Sequence, residues 1–265
     1  QAMTDLKAVI NAPLGERGGI KVALKKIESE SHVFNTTLND RRDFRDSTTA
    51  SITVRYDLTD NTSFQLTYDD YDHQTIAPDN LMVGPFPEPL TGYLASQADD
   101  WKTSPQLNPL EAYMEGNNTT LNITHDWSGH QIKYTMGIMD YDEEVHESSW
   151  GSATVFFPVN RDQEFKQTSH ELQLSSDSSG PLNYVAGLYY MEADSFITSG
   201  PIQPFTVNHN AEAMAVYGEM TYDFNELWSL TVGARYTDED KEMNSFSWPP
   251  VVGDADRLAG NTDPG

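Results

Sequence analysis

A chain of 265 residues with a net charge of −25, 37% hydrophobic residues and no cysteine has room for one large β domain or two ordinary ones. The acidity excludes the Lys- and Arg-driven counterion release that nucleic-acid binding needs, and the missing cysteines exclude disulfides, thiolate metal sites and a thiol nucleophile. No run approaches the ~18 apolar residues of a membrane helix, so only strands could carry this chain across a bilayer.

In chain order, residues 5–12 and 19–27 form a first, weakly patterned strand pair. Ile52, Val54, Tyr56 and Leu58 then alternate with Ser51, Thr53, Arg55 and Asp57. A period of two means an extended strand with one apolar and one polar face. Phe64, Leu66 and Tyr68 repeat the pattern, followed by strands at 121–127, 131–138, 170–174, 182–190 and 214–224. The sharpest case is 228–242, where Trp228, Leu230, Val232, Ala234 and Tyr236 alternate with Ser229, Thr231, Gly233, Arg235 and Thr237. A ring at each end of an apolar stripe suits a strand crossing a bilayer, because Trp and Tyr rest at the two interfaces. About ten strands are predicted, each near the length of a tilted crossing.

The connections alternate in length. Short turns are predicted at 13–18, 59–62, 128–130, 176–180 and 225–226, rich in the Gly, Asn, Asp and Ser that tight turns require. Long connections are predicted at 29–46, 74–115, 147–166, 199–209 and from 243 onward. Turns on one rim and long polar loops on the other is the layout of an outer-membrane barrel; a β-sandwich has no reason to sort its loops so. The reading is therefore an all-β, transmembrane antiparallel β-barrel. Its inward positions, among them Gln65, Asn122, Thr124, Lys133, Glu171, Gln173, Glu219 and Thr221, make a polar lumen rather than an oily pocket.

No nucleotide-binding, nucleophile-elbow or zinc-protease motif occurs, and the seven histidines lack metal-ligand spacing. No catalytic residue, metal or cofactor is expected. The acidic runs at 69–72 and 238–240 read as solvated rim, since they lack the glycine and ligand spacing of a calcium loop. The long connection 74–115 carries Met82, Phe86, Tyr93 and Trp101 among Pro85, Pro87 and Pro89. Rings on a stiffened loop suit stacking on a flat ligand or sugar face; equally, they suit a small apolar cluster that folds the loop over itself.

Several segments resemble the TonB-dependent outer-membrane receptors. The stretch 230–242 is similar to the family's barrel strand ending G-x-R-Y, and 165–176 resembles its Q-E-L-R-L strand, with His170 before the Glu and Gln173 in place of Arg. Residues 184–190 match W-x-x-G-x-Y-Y with Tyr184 for Trp, 213–222 match A-x-F-G-E-x-x-Y with Tyr217 for Phe, and 11–14 resemble an early N-x-P-L turn. The resemblance implies residues 1–265 as part of a barrel of the 22-stranded type, its plug domain, TonB box and later strands lying outside this sequence. It implies residence in the outer membrane of a Gram-negative bacterium and contact with lipid. TonB would act through the plug, and the task would be energised uptake of a scarce solute, a ferric siderophore first. An oligosaccharide or cobalamin receptor of the same fold is the alternative, then a passive porin, then a soluble adhesion module. On this reading Phe86, Tyr93, Trp101, Arg55 and Arg235 are the expected ligand contacts, the two arginines steering an anionic chelate or pairing with Asp57, Glu171, Glu219 or the plug.

Overall fold

The chain alternates strand and connection throughout residues 2–30, 33–41, 43–76, 102–107, 111–148, 158–176, 180–201 and 204–247, which the computed structural model describes. The strands are β1 (Met3–Leu14), β2 (Gly18–Glu30), β3 (Phe34–Asn35), β4 (Asp43–Thr59), β5 (Thr62–Ile76), β6 (Thr103–Ser104), β7 (Glu111–Trp127), β8 (His130–Ser148), β9 (Pro158–Ser176), β10 (Leu182–Pro201), β11 (Phe205–Asn225) and β12 (Trp228–Ser247). Ten of them form one sheet in the order β1-β2-β4-β5-β7-β8-β9-β10-β11-β12. Every pairing in it is antiparallel, so the sheet is a meander. Among the described residues the sheet is open, with β1 and β12 as its edges.

Local chemistry fixes the tight rim. Ser128 and Gly129 take φ of 47° and 83°, the double left-handed geometry that matches hairpin twist. The Asn225 side-chain oxygen accepts from the amides of Leu227 (2.9 Å) and Trp228 (3.1 Å), which sets the start of β12. Turn geometry then sets register, and register sorts the faces. On the apolar face Val54, Leu66, Leu121 and Met136 lie on one rung; on the polar face Arg55, Gln65, Asn122 and Thr135 lie on the next. The apolar face is uncovered: Leu230 is 53%, Val232 50% and Tyr236 68% exposed. So large a contiguous apolar surface marks contact with lipid.

Two expectations change. The strands outrun their patterned parts: β8 has 19 residues where 131–138 carries the alternation, and β11 has 21. A tilted crossing needs only about 9–11 residues, so roughly half of β8 and of β11 stands beyond the bilayer. Backbone groups keep pairing whatever the side chains are, which explains why polarity does not end the strands. For the same reason 199–209 is not a long loop. Ser199 pairs with Phe205, and only residues 202–204 join β10 to β11. Residues 243–247, expected in the tail, likewise pair with 205–209.

The second small sheet was not legible in the sequence. β3 and β6 pair in parallel, joining two of the long connections. Asn35 is the clasp. It is 2% exposed, its amide nitrogen donates to the Gln106 carbonyl (2.6 Å), and its oxygen accepts from the amides of Thr37 (3.0 Å) and Leu38 (2.9 Å). Asn35→Ala would leave one buried acceptor and two donors unmet, at a cost of about 1–3 kcal/mol. Limited proteolysis of the full-length protein should then cut within 33–41 or 102–107 at least severalfold faster; an unchanged rate refutes the clasp.

Candidate ligand-binding wall

On several strands the last large apolar residue of the outer face gives way to acid, as Tyr68 to Asp70, Ile138 to Asp140, Tyr190 to Glu192, Met214 to Glu212 and Tyr236 to Asp238. This boundary marks the outer edge of the membrane band. One residue beyond Asp70 and Asp140, on the opposite, polar face, a single rung reads Lys7–Lys25–Thr49–Tyr71–Gly116–Tyr141–Phe165–Ser195–His209–Met243. It holds two ammonium groups, the rings of Tyr71, Tyr141 and Phe165, and the His209 imidazole at the mouth of the wall.

Gly116 makes the rings continuous. With no side chain there, the Tyr71 hydroxyl reaches over the glycine toward Tyr141: a Cβ built on Gly116 would lie 2.8 Å from that oxygen and 2.6 Å from the Tyr141 Cβ. Tyr141 stacks on Phe165 with centroids 5.0 Å apart and planes 24° apart. Tyr71 stacks on His73 at 5.2 Å and 19°, and His73 Nδ1 shares a hydrogen bond with Ser47 Oγ (2.7 Å). Gln163 Nε2 donates to the Tyr141 hydroxyl (3.3 Å), and Arg161 pairs with Glu143 at 2.8 Å one rung farther out. The result is a platform of four rings, each held by a neighbour.

Burial raises the Tyr71 hydroxyl above the ordinary tyrosine value, helped by Tyr141 and Asp140. Burial raises Tyr141 too, helped by Glu143 and opposed by Arg161. Both are therefore neutral hydroxyls across physiological pH. A folded-state value above the unfolded one gives stability that is complete below the unfolded value of about 10 and is lost as pH rises through the folded one. The protection of amides at the mouth, measured by exchange and corrected for intrinsic base catalysis, should thus be flat from pH 6 to 9 and fall above pH 10; a fall already at pH 8 contradicts the buried platform.

The expected contacts fall in three places. Phe86, Tyr93 and Trp101 lie outside the described residues. Arg55 is on the polar face but near the tight-turn rim, in a recess of about 460 Å³ with Gln65, Asn122, Thr124 and Lys133. Its partner Gln65 is six residues below Tyr71 on β5, about 20 Å at ~3.3 Å per residue. The Arg55 guanidinium is 3.8 Å from Asp57, both largely exposed. Arg235 packs between rings, 5.9 Å from the Tyr189 centroid and 5.7 Å from Tyr217, with Nε donating to Thr237 Oγ1 (3.0 Å). Tyr217 lies across Gly187, donates to Glu171 Oε1 (2.7 Å) and accepts from Gln173 Nε2 (3.1 Å). Arg235 thus makes two cation–π contacts, and Tyr217 stands between it and Glu171, one of the carboxylates offered as a partner. Tyr71, His73, Tyr141 and Phe165 are absent from the residues expected as contacts. Continuing the period-two alternation past Asp70 and Asp140 would have found the two tyrosines.

Long antiparallel strands with an apolar outer face and a polar inner one define the wall of a transmembrane β-barrel. Residues 22–257 match the family described as TonB dependent receptor-like, beta-barrel, and the chain belongs to that family of outer-membrane receptors. No curated protein sequence matches it. Its fold is similar to the ferric yersiniabactin uptake receptor FyuA from Yersinia pestis (12% identity, TM-score 0.68, 91% of this chain and 41% of that one). It is also similar to P. aeruginosa FpvA bound to heterologous pyoverdines (12%, 0.70, 94% and 37%) and to the alcaligin outer-membrane receptor FauA from Bordetella pertussis (15%, 0.64, 93% and 36%). The chain thus spans about two-fifths of the length of these relatives, from 36% to 41%. Receptors of this family transport; they do not catalyse.

Proposed function

We propose that residues 1–265 form part of the barrel of a receptor that captures a scarce anionic ferric chelate at its outer mouth. Release into the lumen would follow when TonB moves a plug contributed by the rest of the protein. The observation that carries this reading is the mouth rung. Lys7 and Lys25 supply positive charge in a chain of net −25, with Asp5 4.0 Å from Lys25, and Tyr71, Tyr141 and Phe165 supply flat faces farther along the rung, Tyr71 two strands from Lys25. Farther down the same face lie Lys133 and Arg55, in a recess that also holds Asp126 and with Asp57 3.8 Å from Arg55. Rings also stack on sugars, so an oligosaccharide is the second reading; the cations favour the anion.

Growth of strains carrying the full-length protein, starved in turn of iron, of carbon and of cobalamin and supplied with ferric chelate, glycan or cobalamin to match, tests the class. Rescue by glycan or cobalamin alone would overturn it. Tyr141→Ala removes the central ring and should weaken chelate binding about tenfold, the scale of one lost aromatic contact. Unchanged affinity in a fluorescence titration would remove the platform from the binding site.

A further inference from the structure

We propose that the lipid-facing side of β8–β12 carries a site for one acyl chain of an outer-leaflet lipid whose head presents an amine. It rests on the membrane placement above but not on the cargo. The apolar face here is grooved, with a volume of about 480 Å³, and the groove floor is the rung Tyr134–Leu172–Leu188–Val216–Tyr236. Over β10–β12 the adjacent rung toward the tight turns is low, because it carries Ala186, Gly218 and Ala234, while Ile132 and Leu174 raise it on β8 and β9. The opposite bank is stiff. His170 stacks on Tyr134 at 6.1 Å and on Tyr190 at 6.4 Å, and its Nδ1 shares a 2.8 Å hydrogen bond with the Tyr134 hydroxyl.

The groove crosses four inter-strand steps of ~4.8 Å, about 19 Å in all. With strands tilted ~40° it climbs about 12 Å along the membrane normal, inside one leaflet of ~15 Å. That is the run of a single lipid chain. The groove also has a direction. At the β8 end the outer face stays apolar past the groove, through Met136 and Ile138; at the β12 end it reaches Asp238. Glu192, Glu212 and Asp240 lie together on the next rung out. Glu192 accepts from the Tyr190 hydroxyl (3.1 Å), and none of these four carboxylates pairs with a Lys or Arg among the described residues. Lys166, on the same face, is 3.7 Å from Asp140 instead. An apolar trough that ends at four carboxylates complements a chain with a cationic amine at its head and repels a purely anionic one.

Native mass spectrometry of the detergent-purified full-length protein tests this with phosphatidylethanolamine and phosphatidylglycerol of identical chains, with and without magnesium. Phosphatidylethanolamine should be retained about tenfold better, the order expected for one amine held at clustered surface charge. Leu188→Trp and, separately, Met214→Trp should fill the groove and cut its retention about tenfold while folded-barrel gel migration and chelate uptake stay unchanged. Glu192→Gln with Asp238→Asn should reduce phosphatidylethanolamine to the phosphatidylglycerol level. Equal retention of the two lipids, magnesium-dependent preference for phosphatidylglycerol, or retention indifferent to groove filling overturns the proposal. Loss of the cargo reading would appear in the uptake assay alone.

Discussion

Gly116→Val is expected to break the mouth of the wall, at about 2–3 kcal/mol, the upper range of overpacking in a well-packed site. A Cβ at this position would fall 2.5 Å from the Asp140 carbonyl oxygen, 2.6 Å from the Tyr141 Cβ and 2.8 Å from the Tyr71 hydroxyl. The hydroxyl can swing away; the carbonyl cannot, because it belongs to the neighbouring strand of the ladder. The β7–β8 pairing must therefore loosen where Gly116 faces Tyr141, and Tyr71 must leave the platform. Gly19→Ala is the control on the same face, since its Cβ would meet nothing nearer than 3.6 Å and should change stability by less than about 0.5 kcal/mol. Urea unfolding of the full-length protein in detergent, followed by gel migration of the folded barrel, reads the first effect. Chelate titration reads the second, where a loss beyond tenfold is expected from Gly116→Val. Stability and affinity both at the parent level would mean that the rings are not packed as described.

Leu66→Arg should destabilise the folded protein by about 2–4 kcal/mol, the cost of a guanidinium at the bilayer midplane on a barrel's lipid face. Leu66 sits between Val54 and Leu121 on the apolar face of β5, with Phe64 and Tyr68 on either side along the strand. Its immediate neighbour Gln65 points to the other face, between Arg55 and Asn122. Gln65→Arg therefore puts the same charge into the polar lumen, where it should cost less than about 1 kcal/mol despite the nearby Arg55. The two variants differ by one position in sequence and by the whole thickness of the wall. Refolding titrations into phospholipid vesicles compare them directly. Equal costs would mean that this face does not meet lipid.

Membrane crossing, face assignment and the tight turns were legible in the sequence because each depends on neighbours one or two residues apart. Trp228 to Tyr236 declares its face by alternation alone, and Ser128-Gly129 declares its turn by the φ it requires. Strand ends were not legible: the ladder from Ser199 to Phe205 continues on backbone hydrogen bonds, which carry no side-chain signature. The parallel contact of Phe34–Asn35 with Thr103–Ser104 joins residues nearly seventy positions apart, a separation that no local pattern encodes. The candidate site divides along the same line. Arg55 and Arg235 were identified as lumen residues by parity, and parity holds for both. What parity could not tell is height and company: Arg55 sits by the tight-turn rim, and Arg235 rests on two tyrosines.

By itself, then, the sequence determined the class of wall: an amphipathic antiparallel sheet, apolar toward lipid and polar toward a lumen, built on the pattern of a receptor barrel. That followed from a period of two, which is the geometry of any extended chain. Only the tertiary structure decided which residues share a rung. Tyr71, Gly116, Tyr141 and Phe165 come from four strands, and nothing local to any of them fixes the register that brings three rings together over one missing side chain. The same register put a groove and four carboxylates on the opposite face. Register is a sum of every turn and pairing before it, which is why it appears only when the sheet is assembled.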